Sequence, residues 1–240
     1  MSAVLMLIFK DSILGLVAGF QMSVHDLVRI GDWIEMPNYG ADGHVMDVTL
    51  TFIRIENWDH TTVTIPAYKL ITESFTNWRN VFEKGGRRIR RAVHIDAKSV
   101  KIVDDVLYQK LLKVDFLKSY LTSRKQEIDA YNKQNQIDTS VSLNGRRLTN
   151  LGVYRVYLTE YLKNNPHIHK DMWRLIRQLE NTNRGIPLEV YAFSNKTGWA
   201  DFEAIMADIF DHIYATTSYF ELKIFQEPSG DDFKERFKIS

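Results

Sequence analysis

At 240 residues the chain is long enough for one large domain or two small ones, each with a core of its own. Its 31 basic and 30 acidic residues leave a net charge of +1, short of the strongly basic balance of a dedicated nucleic-acid binder. The absence of cysteine excludes disulfides and thiolate zinc sites, and the apolar (45%) and charged (25%) shares are those of an ordinary folded protein.

The chain opens on apolar sequence, and residues 3–22 read as a helix that is apolar on most sides, as suits lipid or a helix assembly. A lone spanning helix needs about 20 mostly apolar residues. Lys10, Asp11 and Ser12 interrupt this one, and no basic segment or small-residue cleavage site marks it as a secretory signal. The expectation is the end of a longer membrane helix whose beginning is missing. Within it Gly15 and Gly19 form a G-x-x-x-G, and each glycine costs a helix about 1 kcal/mol relative to alanine. Close approach of another backbone would offset that cost; the alternative is chance at a frayed end.

From Gln21 the character turns polar. Trp33–Met36 reads as a short strand before a turn. Val48, Leu50 and Phe52 alternate, then Ile53 and Ile55 take the opposite parity, which predicts a bulge near Phe52. Asn57–Thr61 is a turn and Thr62–Pro66 a strand, so that residues 23 to about 80 suggest a small β-barrel. Gly85 and Gly86 read as a linker. Ile89, Arg91, Val93 and Ile95 share one strand face, and Val103–Leu121 has helical period. Residues 122–147 are polar and read as a mobile insertion. Thr149 is a candidate cap for a helix carrying Leu151, Tyr154 and Leu158. Strands near Met172–Leu179 and Pro187–Phe193 form a hairpin about Asn181–Gly185. Phe202, Ile205, Ile209, Phe210 and Ile213 define one apolar helix face, a last strand lies near Glu221–Phe225, and the tail after Pro228 looks frayed. Mixed in this way, the elements suggest an α+β sandwich.

Few clusters carry chemistry. His167, His169 and Asp171 could share a metal, but with no second cluster at ligand spacing they read as a polar turn. His94 and Asp96 lie on the outward face of their strand, and Asp208, Asp211 and His212 read as solvated. No serine elbow, phosphate loop or dinucleotide fingerprint occurs, so no catalytic residue, metal or cofactor is expected. Arg87, Arg88, Arg90 and Arg91 form the densest charge. Beside a barrel bearing Trp33, Tyr39, Phe52 and Trp58 they could line a nucleic-acid groove. The alternative has Trp33 and Phe52 in the barrel core and the arginines in solvent.

The order of parts is informative. A glycine-containing apolar helix runs into RIGDWIEM, then GHVMDVTLTFIRI, then TVTIP. This order resembles the small-conductance mechanosensitive channel (MscS-like) family over essentially the whole chain. NWDHTTVTIPAYKLITESFTNWR, KGGRRIRR and GIPLEVYAF with WADFEAIMADIFDHIYA resemble its miniconductance branch more specifically. Ala67 stands where many relatives have asparagine, and Asp11 where the best-known ones have a kink glycine.

The resemblance implies an α+β architecture: residues 1–22 as the end of a pore-lining transmembrane helix, 23–84 as a five-stranded Sm-like β-barrel, and 85–228 as a ferredoxin-like α/β domain with the insertion at 122–147. Residues 229–240 would be a C-terminal tail. It further implies a homo-oligomer, a seven-fold ring, in a bacterial inner membrane with most of these residues on the cytoplasmic side. Membrane lipid would be a partner of the full-length protein, and ions and small osmolytes its permeants, released under tension on osmotic swelling. No nucleic-acid partner or enzyme activity is implied. Ala3 and Leu7 fall on the family's apolar seal positions, Asp11, Gly15 and Gly19 on its hinge and packing segment, and Arg87, Arg88, Arg90 and Arg91 would charge the vestibule.

Overall fold

The computed structural model describes residues 2–228, with side chains from Ile13 onward. The chain divides into two compact units, one ending at Lys84 and the other beginning at Gly85. Among the described residues, no helix is long and apolar enough to cross a membrane.

The first unit starts with helix α1 (Ser2–Val24) and continues as a five-stranded antiparallel sheet. Its strands are β1 (Trp33–Met36), β2 (Ala41–Val48), β3 (Phe52–Asn57), β4 (Thr62–Pro66) and β5 (Thr76–Asn77), in the order β4-β3-β2-β1-β5. Short helices α2 (Ala67–Thr72) and α3 (Arg79–Glu83) flank β5. Alternation puts Ile34, Met36, Val45, Ile53, Ile55 and Ile65 on the buried face, with Ala67 and Leu70 of α2 closing the core. The departure at Ala67 is a packing position: its side chain is fully buried, and its N–H donates to Thr51 O at 2.9 Å.

The parity change read as a bulge near Phe52 has another cause. The chain turns at Thr49–Thr51, where Thr49 Oγ1 accepts from Phe52 N (3.0 Å) and donates to Phe52 O (2.7 Å). The register shift itself lies on β2, between Val45 and Asp47. Leu50 thus belongs to a turn and not to a strand; a three-residue turn mimics continued alternation in sequence.

The second unit pairs strands β6 (Arg87–Ile95), β7 (Leu175–Gln178) and β8 (Ile186–Ser194) in the order β6-β8-β7, all antiparallel. A bridge between Ile95 and Ile224 sets the final segment beside β6. That segment forms an isolated bridge, where the sequence predicts a full strand. With the intervening helices, the order is that of a β-α-β-β-α-β unit. The helices are α4 (Asp105–Leu111), α5 (Asp115–Gln134), α6 (Asn150–Asn164) and α7 (Trp199–Thr217). Ile89, Val93 and Ile95 meet the expected α7 face (Phe202, Ile205, Ile209, Phe210, Ile213) in one core. Thr149 caps α6, its Oγ1 accepting from Gly152 N at 3.1 Å. The hairpin turn closes on paired bonds between Thr182 and Gly185.

Two expectations fail here. The single helix over Val103–Leu121 is two, broken at Leu112–Val114. The tract from Thr122 to Gln134 is the second half of α5, because Leu117, Leu121, Ile128 and Asn132 keep one buried stripe through polar sequence. The following loop is also held. Asn132, 5% exposed, donates to Arg146 O (3.2 Å) and accepts from Arg146 N (2.9 Å).

Candidate functional site

One side of α1 is committed to the first unit. Ala18 and Met22 are buried in its core with Ala67 and Leu70. Gly15 and Gly19, on the same stripe, meet the Thr49–Thr51 turn. A Cβ on Gly19 would lie 2.6 Å from Leu50 O and 2.7 Å from Leu50 Cα, a distance that no side chain tolerates against backbone. At Gly15 the nearest atoms, on Thr51, are 3.7 Å away, an ordinary contact. The two glycines therefore do different jobs. The other side of α1 is bare and apolar: Ile13, Leu16, Val17, Phe20 and Val24 are exposed, Phe20 by 67%. Ala3, Leu7 and Asp11 lie on the same helix but outside the residues whose side chains are described.

An ion network fixes how the chain leaves α1. Arg79, at the start of α3, sends Nε to Asp32 Oδ1 (2.9 Å) and Nη2 to Asp32 Oδ2 (2.5 Å). Its Nη1 donates to Asp26 O and Oδ2, both at 3.1 Å. Asp32, 8% exposed, also accepts from Arg29 N (2.8 Å) and Asn77 Nδ2 (3.0 Å). Burial raises the Asp32 carboxyl, but Arg79, the Arg29 amide and Asn77 together hold it below the usual carboxylate range. Arg29 pairs with Asp26 on the surface. The sequence offers no sign of this network, since Arg79 stands 47 positions from Asp32.

The aromatic residues arrange themselves otherwise than expected. Trp33 does not enter the sheet's core; it alternates with Ile34 and Met36 and lies on the opposite face. It is buried there by its own kind, stacked on Trp78 (centroids 4.5 Å apart) and met edge-on by Trp58 (5.1 Å). Asp42 Oδ1 accepts from the indole N–H of both Trp33 (2.8 Å) and Trp58 (3.1 Å). Phe52 is half-buried, also outside the core cluster.

The four arginines are not one patch. Strand alternation turns Arg87 and Arg91 toward α7, where their guanidinium carbons sit 4.6 Å from the ring centroids of Phe202 and Phe210. Arg88 and Arg90 take the other face, and Arg90 pairs with the buried Glu189 (3.2 Å), which Arg177 also holds (2.6 Å). His212, read as solvated, is half-buried: Tyr161 stacks on it at 4.0 Å and Tyr157 Oη lies 2.8 Å from its Nε2. Burial pushes its pKa below the ordinary value. His169 is spent on the turn, its backbone N–H donating to Phe193 O (2.7 Å) and its ring accepting from Asp171 N (3.2 Å). Among the described residues no group of His, Asp or Glu converges as a metal site.

Residues 11–80 match the family model of the mechanosensitive ion channel β-domain. Among solved structures, Arabidopsis thaliana MSL1 matches over 94% of this chain and 63% of its own, with a TM-score of 0.62 at 10% identity. The closed state of Helicobacter pylori MscS matches over 95% of this chain and 68% of its own, with a TM-score of 0.58 at 12% identity. At such identities the likeness is one of fold, and the chain spans about two thirds of each of these structures or somewhat less. The chain thus carries, over residues 11–80, a segment that matches the mechanosensitive ion channel β-domain, within a fold like that of the MscS structure.

Proposed function

We propose that this chain is the pore-helix end and cytoplasmic part of a bacterial inner-membrane channel, opened by membrane tension and weakly selective for ions and small osmolytes. The observation that carries the reading is the two-sided character of α1. One side is seated on the β-domain by Gly19, and the other presents Ile13, Leu16, Val17 and Phe20, all exposed among the described residues. An exposed apolar surface of that kind marks an interaction site. In a homo-oligomer it would face neighbouring copies and lipid. Leu7, six positions nearer the start of the helix than Ile13, is proposed as an apolar constriction that gates by dewetting, with the small Ala3 as a weaker outer seal. Asp11 would lie where the helix leaves the membrane and charge can reach water. Gly15 and Gly19 are the proposed hinge and packing segment.

The vestibule reading is refined by geometry. Of the four arginines proposed to charge the chamber, Arg87 and Arg91 are drawn onto aromatic rings and Arg90 onto Glu189, leaving Arg88 as the one most available to permeant anions. The same split weakens the rival reading of a nucleic-acid groove, which needs a continuous basic track. Light scattering in mild detergent tests the assembly. A mass near seven times that of the chain is expected, and a clean monomer at high concentration would contradict it.

A further inference from the structure

We propose that α5 and its return loop build a binding site for a free apolar α-amino acid. The site is a cavity of about 420 Å³ in the second unit, between α4, the C-terminal half of α5 and residues 137–148. That volume is within the range of small-molecule pockets, which begin at about 300 Å³. Its lining includes the apolar side chains of Val103, Ile128, Ile137 and Leu148 and the ring of Tyr108. Five charged side chains line it, and their pairing decides what it can hold. Lys125 and Asp129 neutralise each other at 3.2 Å. Asp105, Lys133 and Arg147 form no ion pair among the described residues, so two cations and one anion are left facing a partly apolar space.

That set complements a zwitterion. A carboxylate would take Arg147, which spends one of its five N–H donors on Thr139 O (2.7 Å), together with Lys133. An ammonium would take Asp105, and an apolar side chain would lie on Ile128 and Tyr108. A phosphate ester fits worse, because its second charge would meet Asp105 and Asp129. The loop is built to hold this shape. Buried Asn132 clamps Arg146 through both amide atoms, and Gly145 has φ +73 with the Asn132 side chain against it, so that a side chain at 145 would be strained. An ordered polar loop fixed by a buried amide costs more than a mobile one, and a ligand site is what the arrangement serves.

Calorimetric titration of the 240-residue chain with L-leucine, L-phenylalanine, isocaproate and isoamylamine is the test. Saturable binding of at least one of the two amino acids is expected. For leucine, the analogue lacking the ammonium and the one lacking the carboxylate should each bind at least about tenfold more weakly, as should Arg147→Ala and Asp105→Asn. Thermal unfolding of each variant checks that it folds; for one that does not, Lys133→Gln replaces it. No binding of either amino acid at millimolar concentration would overturn the proposal. So would isocaproate binding as tightly as leucine, or amino-acid affinity unchanged in the folded variants.

Discussion

Gly19 and Gly15 look alike in sequence and should behave oppositely. Alanine gains about 1 kcal/mol of helix preference at either position. At Gly15 little opposes that gain, so Gly15→Ala should leave stability unchanged or raise it by about that amount. At Gly19 the new methyl would strike the Leu50 backbone, and overpacking of that kind costs about 1–3 kcal/mol. Gly19→Ala should therefore lower stability, or lift α1 from the turn, and urea unfolding of the two variants side by side distinguishes them. Equal effects would contradict the seat described for Gly19. His212 gives a second test at this scale. Its folded pKa lies below the unfolded value of about 6.5, so the unfolded chain binds more protons as pH falls through that value. Stability should drop below pH about 6.5 and level off once the folded form also protonates. His212→Phe, which keeps a ring against Tyr161, should flatten that part of a pH series of melting temperatures. The cost of the two glycines was legible in sequence; what offsets it was not, because the partner sits in a turn that alternation disguised as strand.

At the scale of elements, the segment between α1 and β1 is held by Arg79. Removing one partner of a buried pair leaves the other charge uncompensated, so Arg79→Ala should cost about 3 kcal/mol. Asp32→Asn combined with Arg79→Met should recover much of that loss, since the stranded charge is gone. Chemical denaturation of the single and double variants reads this directly; equal losses would mean that the pair is not what holds the segment. Because the Asp32 carboxyl is held below its ordinary range, this contribution is present above pH about 4 and is lost as pH falls through the lower folded value. Most elements were readable from period and caps: the β6 face, the β7–β8 hairpin, the Thr149 cap and α7. Two kinds were not. Long-range ion pairs such as Arg79–Asp32 leave no local pattern. In α5, polar composition outweighed a stripe of four buried residues spread over 16 positions, and the helix was mistaken for a mobile insertion.

At the scale of the whole molecule, the arginine cluster shows how one-dimensional density misleads. Four arginines within five positions suggest a single patch, yet a strand deals them to two faces, and three of the four find partners within the unit. Gel-shift titration with single-stranded RNA at physiological salt should accordingly show no tight binding; tight binding abolished by replacing all four with alanine would favour a nucleic-acid role. The β-domain was legible because its match depends on the order of parts within residues 11–80, whereas the proposed assembly depends on surfaces such as the exposed side of α1, which one chain does not pair. The central claim is that α1 is the end of a pore lining that membrane tension opens. Patch-clamp recording under graded suction, on cells that express the gene for this chain and have no suction-activated current of their own, tests it most directly. A suction-activated conductance is expected, with its threshold or inactivation altered by Gly19→Leu, which sets bulk against the Leu50 backbone. Membranes that contain the protein yet give no suction-activated current would contradict the account.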